Sequence, residues 1–233
     1  MLFKLLASNV SMRRCALILN IHRTTVKRKF SFLATRSLGN LEDLHLKLSK
    51  TPVEHIQFDD LITIEHTKLK PLSVSIAVDV KRRFILGAEV SQIPAFGHLA
   101  RLSRKKYGPR KSRHKEGLKR LFETLRPIVS PTGIVESDEH KFYPEFVRNY
   151  LPRATYNRYK GGRGCVAGQG ELKKLHQDPL FILNHTCALF RANINRLIRK
   201  TWCTTKDPAM LQKHLYLFID FHNTQIFNSI ELL

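Results

Sequence analysis

His55-Ile56-Gln57-Phe58-Asp59-Asp60-Leu61-Ile62-Thr63-Ile64 is the stretch on which the fold turns. Apolar and polar residues alternate in part, and β-branched side chains are frequent, so it reads as a strand. Pro71 to Asp79 and Arg83 to Val90 read as two more, and the short gap from Asp79 to Arg82 suits a hairpin turn. A loop with Pro94 and Gly97 follows. The basic run from Arg101 to Arg120 comes next, and its carboxyl half leads into an amphipathic helix with Leu118, Leu121, Phe122 and Leu125 on one side. Thr132 to Ser137 reads as a strand ending at Asp138, Tyr143 to Tyr150 as a short helix, and Ala154 to Asn157 as one more strand. A Gly-rich basic loop runs from Arg158 to Gly164. Helices are expected from about Leu180 to Thr201 and from Met210 to Asn223. The order β-β-β-α-β-α-β-α is that of an RNase H-like domain, a mixed α/β architecture.

Upstream of the first strand the chain is helical and basic. Ser11 can cap one helix, and Asn20 stands where a tight turn needs a left-handed residue. Ala16 is small where two helices would cross. Ile21 and Val26 would fill the angle between them, and Phe30 and Leu33 continue the apolar stripe. Arg23, Thr24, Lys27 and Arg28 are left on the outer face of the second helix, with Arg13 and Arg14 on the first. This is the pattern of a helix-turn-helix, whose second helix lies in the DNA major groove; an ordinary basic helical hairpin shares many of its features. Leu38 to Lys50 reads as a short helix or linker, closed by Pro52. The expected division is a small all-α helix-turn-helix domain over 1–50 and the RNase H-like domain over 51–233.

The chain has 233 residues and a formal net charge of +21. That charge exceeds what solubility requires, and its natural partner is a polyanion such as phosphate backbone. Cys15, Cys165, Cys187 and Cys203 form no Cys-x-x-Cys pair, so neither a zinc ribbon nor a redox motif is visible. The eleven histidines show no zinc spacing and read mostly as surface or hydrogen-bonding residues. The apolar start, Met1 to Leu6, is too short for a signal core, and no apolar run approaches a membrane span.

Phosphodiester cleavage with Mg²⁺ calls for carboxylates converging from separate elements, because hard cations prefer oxygen ligands. Asp59 in the first strand and Asp138 at the end of the fourth are the candidates, since in the RNase H-like order those strands are neighbours. An acid at a strand end is also a common turn residue. Asp59 stands beside Asp60, and burying two adjacent acids is costly without a cation or hydrogen bonds. Alternation puts Asp60 on the face of Phe58 and Ile62, which leaves open which of the pair points toward a metal.

The chain resembles a bacterial insertion-sequence transposase of the DDE class, related to the insertion-sequence-one type. The resemblance rests on Phe58-Asp59-Asp60, on Glu65 to Ser73, and on Ser137-Asp138-Glu139-His140 followed by Tyr143. It extends through Asn184 to Ala188, Arg191 to Leu197 and Arg199 to Trp202. It implies a Mg²⁺- (or Mn²⁺-) dependent nuclease and strand transferase acting on transposon ends, with Asp59 and Asp138 as the metal-binding acids. It further implies binding to terminal inverted repeats and target DNA, a homodimer or larger synaptic assembly, and a bacterial cytoplasmic, nucleoid-associated location with no membrane partner. Lys160, Arg163, Arg191 and Arg196 join the helix-turn-helix residues as expected DNA contacts.

Two departures stand out. Counting back from Arg191, the family's third carboxylate position falls on Asn184, an amide that can offer a carbonyl oxygen to a cation beside Asp59 and Asp138 but carries no charge, so the set would hold Mg²⁺ more weakly. Glu171 and Asp178 are near enough in sequence to replace it. The Cys-based ribbon that often precedes the helix-turn-helix in this family is absent. The rival reading is therefore a remnant that binds DNA without catalysis, and an RNA-binding structural protein is a third, supported by charge alone.

Overall fold

The computed structural model describes residues 1–160, 178–198 and 203–231. The chain opens with α1 (Leu2–Ala7), α2 (Met12–Ile18) and α3 (Arg23–Lys50). Ser11 caps α2 by accepting from the Arg14 N–H at 3.3 Å, and Asn20 takes the left-handed conformation, φ 49°, in the turn before α3. Both features follow the sequence reading. The segment Leu38–Lys50 is neither a linker nor a separate helix. It continues α3, whose buried residues Val26, Phe30, Ala34, Ser37, Leu41, Leu44 and Leu48 recur at helical spacing over its whole length.

The strands β1 (Val53–Glu65), β2 (Thr67–Asp79) and β3 (Ile85–Gln92) form an antiparallel meander. β2 begins earlier than expected, because His66 adopts φ 63° and turns the chain within a single residue. α4 (Leu99–Tyr107), α5 (His114–Leu125), β4 (Val129–Asp138), α6 (Tyr143–Tyr150) and β5 (Thr155–Tyr159) follow. β4 runs parallel to β1, and β5 parallel to β4, giving a mixed five-stranded sheet in the order β3-β2-β1-β4-β5. The chain is thus α/β, as its pattern predicts. The expected loop after Gly97 is instead α4, held to β2 by the Ser103 hydroxyl donating to Leu69 O at 2.7 Å.

α7 (Phe181–Asn193) covers one face of the sheet and α5 with α6 the other. α5 approaches β3 so closely that a Cβ on Gly117 would lie 1.9 Å from Ser91 Oγ. α7 stops at Asn193, short of the expected Thr201, because Ile194 is extended and a single 3-10 turn, Asn195–Leu197, follows. α8 (Pro208–Glu231) closes the open edge of β3. Gln212 bridges Val90 N–H and Ala88 O, and Asn223 bridges Ile85 N–H and Ile85 O. These amides satisfy backbone groups that an edge strand would otherwise offer to another chain.

α8 also packs along α3, and His214 on α8 bonds Leu6 O at 2.9 Å. One hydrophobic cluster therefore includes Leu6, Cys15, Val26 and Phe30 together with Phe58, Phe122, Leu183 and Leu215. The residues before and after position 50 share that cluster. Among the described residues no helix is long and apolar enough to cross a membrane.

Candidate active site

The last paired residues of β1 and β4 are Gln57 and Glu136, whose side chains bond at 2.9 Å. Asp59 and Asp138 come two residues later on their strands. Alternation puts them on the same face as that pair, just past the end of the ladder. The charge of Asp138 reaches Asp59. Burial first and Asp138 second push the Asp59 carboxyl up to about 7. Asp59 Oδ1 accepts from Asp60 N–H at 2.7 Å and from the Tyr143 hydroxyl at 3.0 Å, and Asp138 Oδ1 accepts from His140 N–H at 2.9 Å. These bonds all fall on Oδ1, so the second oxygen of each acid has no hydrogen bond among the described residues. Two carboxylates on one face whose charges repel, each with an oxygen to spare, form a donor set suited to a hard divalent cation.

Asp60 differs in every respect. Its Oδ1 accepts from Ser73 and Ser75 at 2.7 and 2.5 Å, and its Oδ2 meets His114 Nε2 at 2.5 Å and the Tyr143 hydroxyl at 2.8 Å. Burial alone would raise its pKa, but the bond and charge of His114, with the two serines, outweigh burial and leave it lowered. Asp59 is therefore the member of the adjacent pair with an oxygen free of hydrogen bonds among the described residues, a choice that alternation alone did not make. Tyr143 touches both acids, and burial with their charges drives its hydroxyl pKa well above 10.

α7 lies over the Asp59 side. Gln57 fixes it by accepting from Leu183 N–H at 3.1 Å and donating to Pro179 O at 2.8 Å. Asn184 is exposed, and its amide donates to Asp178 Oδ2 at 2.8 Å. No hydrogen bond joins Asn184 to Asp59 or Asp138 among the described residues. Asp178 is occupied as well, since its Oδ1 accepts from Leu180 N–H at 3.1 Å at the start of α7. On α7, Cys187 senses the acids. Burial, then the charge of Asp59, pushes its thiol up to about 12. Glu136 is not a spare carboxylate either, because Gln57 and Tyr159 both donate to it.

The expected DNA contacts are distributed unevenly. Arg13, Arg14, Arg23, Thr24, Lys27 and Arg28 are all exposed around the α2–α3 turn, and Thr24 Oγ1 lies 2.7 Å from His22 Nδ1. Lys160 is exposed at the end of β5, while Arg163 and the glycines beside it, Glu171, and Arg199 to Trp202 lie outside the described residues. Arg191 stands near Cys187, whose pKa its charge lowers. Arg196 is partly buried, and burial lowers its pKa although Asp207 acts the other way. It is thus a weaker candidate for a phosphate contact than the α3 residues. α4 adds Arg101, Arg104, Lys105 and Lys106 to the exposed cations.

No protein-family model matches the chain, and a search of curated proteins gave no match.

His114 and His140 escaped the sequence reading. Together with Asp60 they place one ligand atom each within 4.8 Å of one another. No short spacing motif marks them, since they come from β1, the start of α5 and the turn after β4.

Proposed function

We propose that the protein is a DNA-binding polynucleotidyl transferase of the DDE transposase type, with an RNase H-like catalytic fold. The observation that carries this reading is that Asp59 and Asp138 follow the paired ends of two adjacent parallel strands, near enough for the charge of Asp138 to raise the Asp59 pKa. Support for the fold comes from the strand order β3-β2-β1-β4-β5, with β1, β4 and β5 parallel. Asp59 and Asp138 would hold Mg²⁺ or Mn²⁺. The chemistry a bound cation supplies here is neutralisation of charge on the attacking and leaving oxygens of phosphodiester transfer.

The chain's own residues prepare that chemistry. Tyr143 and the Asp60 N–H hold one oxygen of Asp59, which fixes the direction of the other. The His140 N–H does the same for Asp138. The α2–α3 unit is the proposed helix-turn-helix, with Arg23, Lys27 and Arg28 contacting a terminal inverted repeat. Most such long cations bind phosphate and position the duplex, and fewer read base edges. Lys160 and the cations of α4 would guide backbone toward the acids. Joining two ends requires a homodimer or larger assembly, working on DNA in the bacterial nucleoid.

The test is cleavage and joining of DNA carrying the inverted repeats that flank the coding sequence, with Mg²⁺ or Mn²⁺. Asp138→Ala is expected to abolish both reactions and to leave DNA binding intact; unchanged cleavage excludes the site. Replacing Arg23 and Arg28 together is expected to weaken end binding and to flatten its salt dependence. A second reading, a DNA-binding remnant without catalysis, is favoured by the engagement of Asn184 with Asp178. Specific binding with no cleavage in either metal would establish it.

A further inference from the structure

Asp60, His114 and His140 lie on the side of β1 away from Cys187 and α7, and the proposed transferase reaction does not use their side chains. Each offers a ligand atom within 4.8 Å of the other two. Their supports are independent. Asp60 belongs to the sheet, His114 opens α5, and His140 sits in the turn between β4 and α6. Asp60 and His114 side chains are each 8% exposed, whereas His140 is half-buried, so the cluster is closed on one side and reachable on the other. The two imidazole rings stand edge to face with centroids 5.0 Å apart.

Asp60 is already oriented as a metal-ligating carboxylate is. Ser73 and Ser75 hold its Oδ1, which aims Oδ2 at His114. Such outer hydrogen bonds to a ligand carboxylate fix its orientation in metal centres. The donor set is two nitrogens and one oxygen. Mg²⁺ takes oxygen ligands and disfavours this set, whereas imidazole suits borderline transition metals, Zn²⁺ foremost.

We propose that Asp60, His114 and His140 form a second metal site, selective for Zn²⁺ or a similar borderline divalent ion, distinct from the Asp59–Asp138 pair. Binding displaces the hydrogen bond between His114 Nε2 and Asp60 Oδ2, and the proton of that bond leaves to solvent. Three protein ligands leave a fourth position for water, as in open zinc sites. The ion clamps β1, the start of α5 and the β4–α6 turn together. It thereby braces Tyr143, which links Asp60 to Asp59. The proposal does not depend on the transposase reading.

The test uses the full chain, stripped with chelator and titrated with Co²⁺ as a visible probe and then with Zn²⁺. One Co²⁺ per chain is expected, with ligand-field absorption, free of thiolate charge transfer and displaced by Zn²⁺. His140→Ala, at a half-buried position, is expected to remove this uptake and the rise in melting temperature that Zn²⁺ produces. Asp138→Asn is expected to retain both. Absence of stoichiometric uptake, uptake unchanged by His140→Ala, or thiolate charge transfer would each overturn the assignment. Absence of DNA cleavage by the unsubstituted chain, with Zn²⁺ uptake intact, would count against the transferase reading alone.

Discussion

Asp59 and Asp60 are the same side chain on consecutive residues, yet the two sides of β1 treat them in opposite ways. On the Asp60 side, two serines, a histidine and a tyrosine converge on one carboxylate, and the histidine with the serines outweighs burial to lower its pKa. On the Asp59 side, burial and a neighbouring carboxylate raise the pKa to about 7. A carboxylate surrounded by donors is held in its charged form and in one orientation. A carboxylate opposed by a second carboxylate is destabilised in its charged form. The difference arises from strand alternation, which delivers one acid to α5 and α6 and the next to α7 and the end of β4.

The largest effects should separate the two acids by kind. Asp59→Ala is expected to reduce metal-dependent strand cleavage by about a thousandfold or more, and Asp60→Ala to act chiefly on folding. Removing Asp60 leaves His114, Ser73, Ser75 and Tyr143 without their shared acceptor, at a cost of roughly 3–5 kcal/mol in chemical denaturation. A fully stable Asp60→Ala protein would break the comparison.

The pH dependence should also run in opposite directions. In metal-free protein Asp59 has a folded pKa near 7 against an ordinary 3.8. Between those values the folded chain keeps a proton that the unfolded chain has released. Its contribution to stability therefore falls as pH rises from about 4 to about 7 and is level above. Asp59→Asn is expected to remove that fall and to stabilise metal-free protein at pH 8 by about 1–3 kcal/mol, each pKa unit corresponding to about 1.4 kcal/mol. Asp60, with its lowered pKa, contributes stability above its ordinary value and loses it as the solution is acidified through its folded pKa. Urea midpoints across pH for the two Asn variants measure both slopes.

The smallest effect is expected at the residue touching both sides. Tyr143→Phe removes one hydroxyl shared between the acids and should cost about 1–2 kcal/mol. It should also weaken Mn²⁺ binding, because Asp59 loses the bond that orients it. A loss of stability with no change in Mn²⁺ affinity would show that the hydroxyl serves the Asp60 side alone.

Much of the fold was legible because its signals are local. The meander over β1 to β3 shows in β-branched runs and turn residues, and Ser11 and Asn20 announce the α2–α3 turn by capping and handedness. That Asp59 and Asp138 sit on neighbouring strands was legible from the element order. What escaped depends on distant partners. α4 arises from a cationic run with few apolar residues, and its tie to β2 is one serine hydroxyl. α3 continues past Gly39, which ordinarily weakens a helix, because its later leucines remain buried. α7 ends early at the extended Ile194. His114 and His140 meet Asp60 only after three elements have packed, so no spacing could reveal them.

The central claim is that Asp59 and Asp138 together hold a divalent cation, and Mn²⁺ binding followed by electron paramagnetic resonance tests it most directly. The account predicts saturable Mn²⁺ uptake near neutral pH that Asp59→Asn and Asp138→Asn each abolish and His140→Ala preserves. Mn²⁺ uptake unchanged in Asp138→Asn would contradict it.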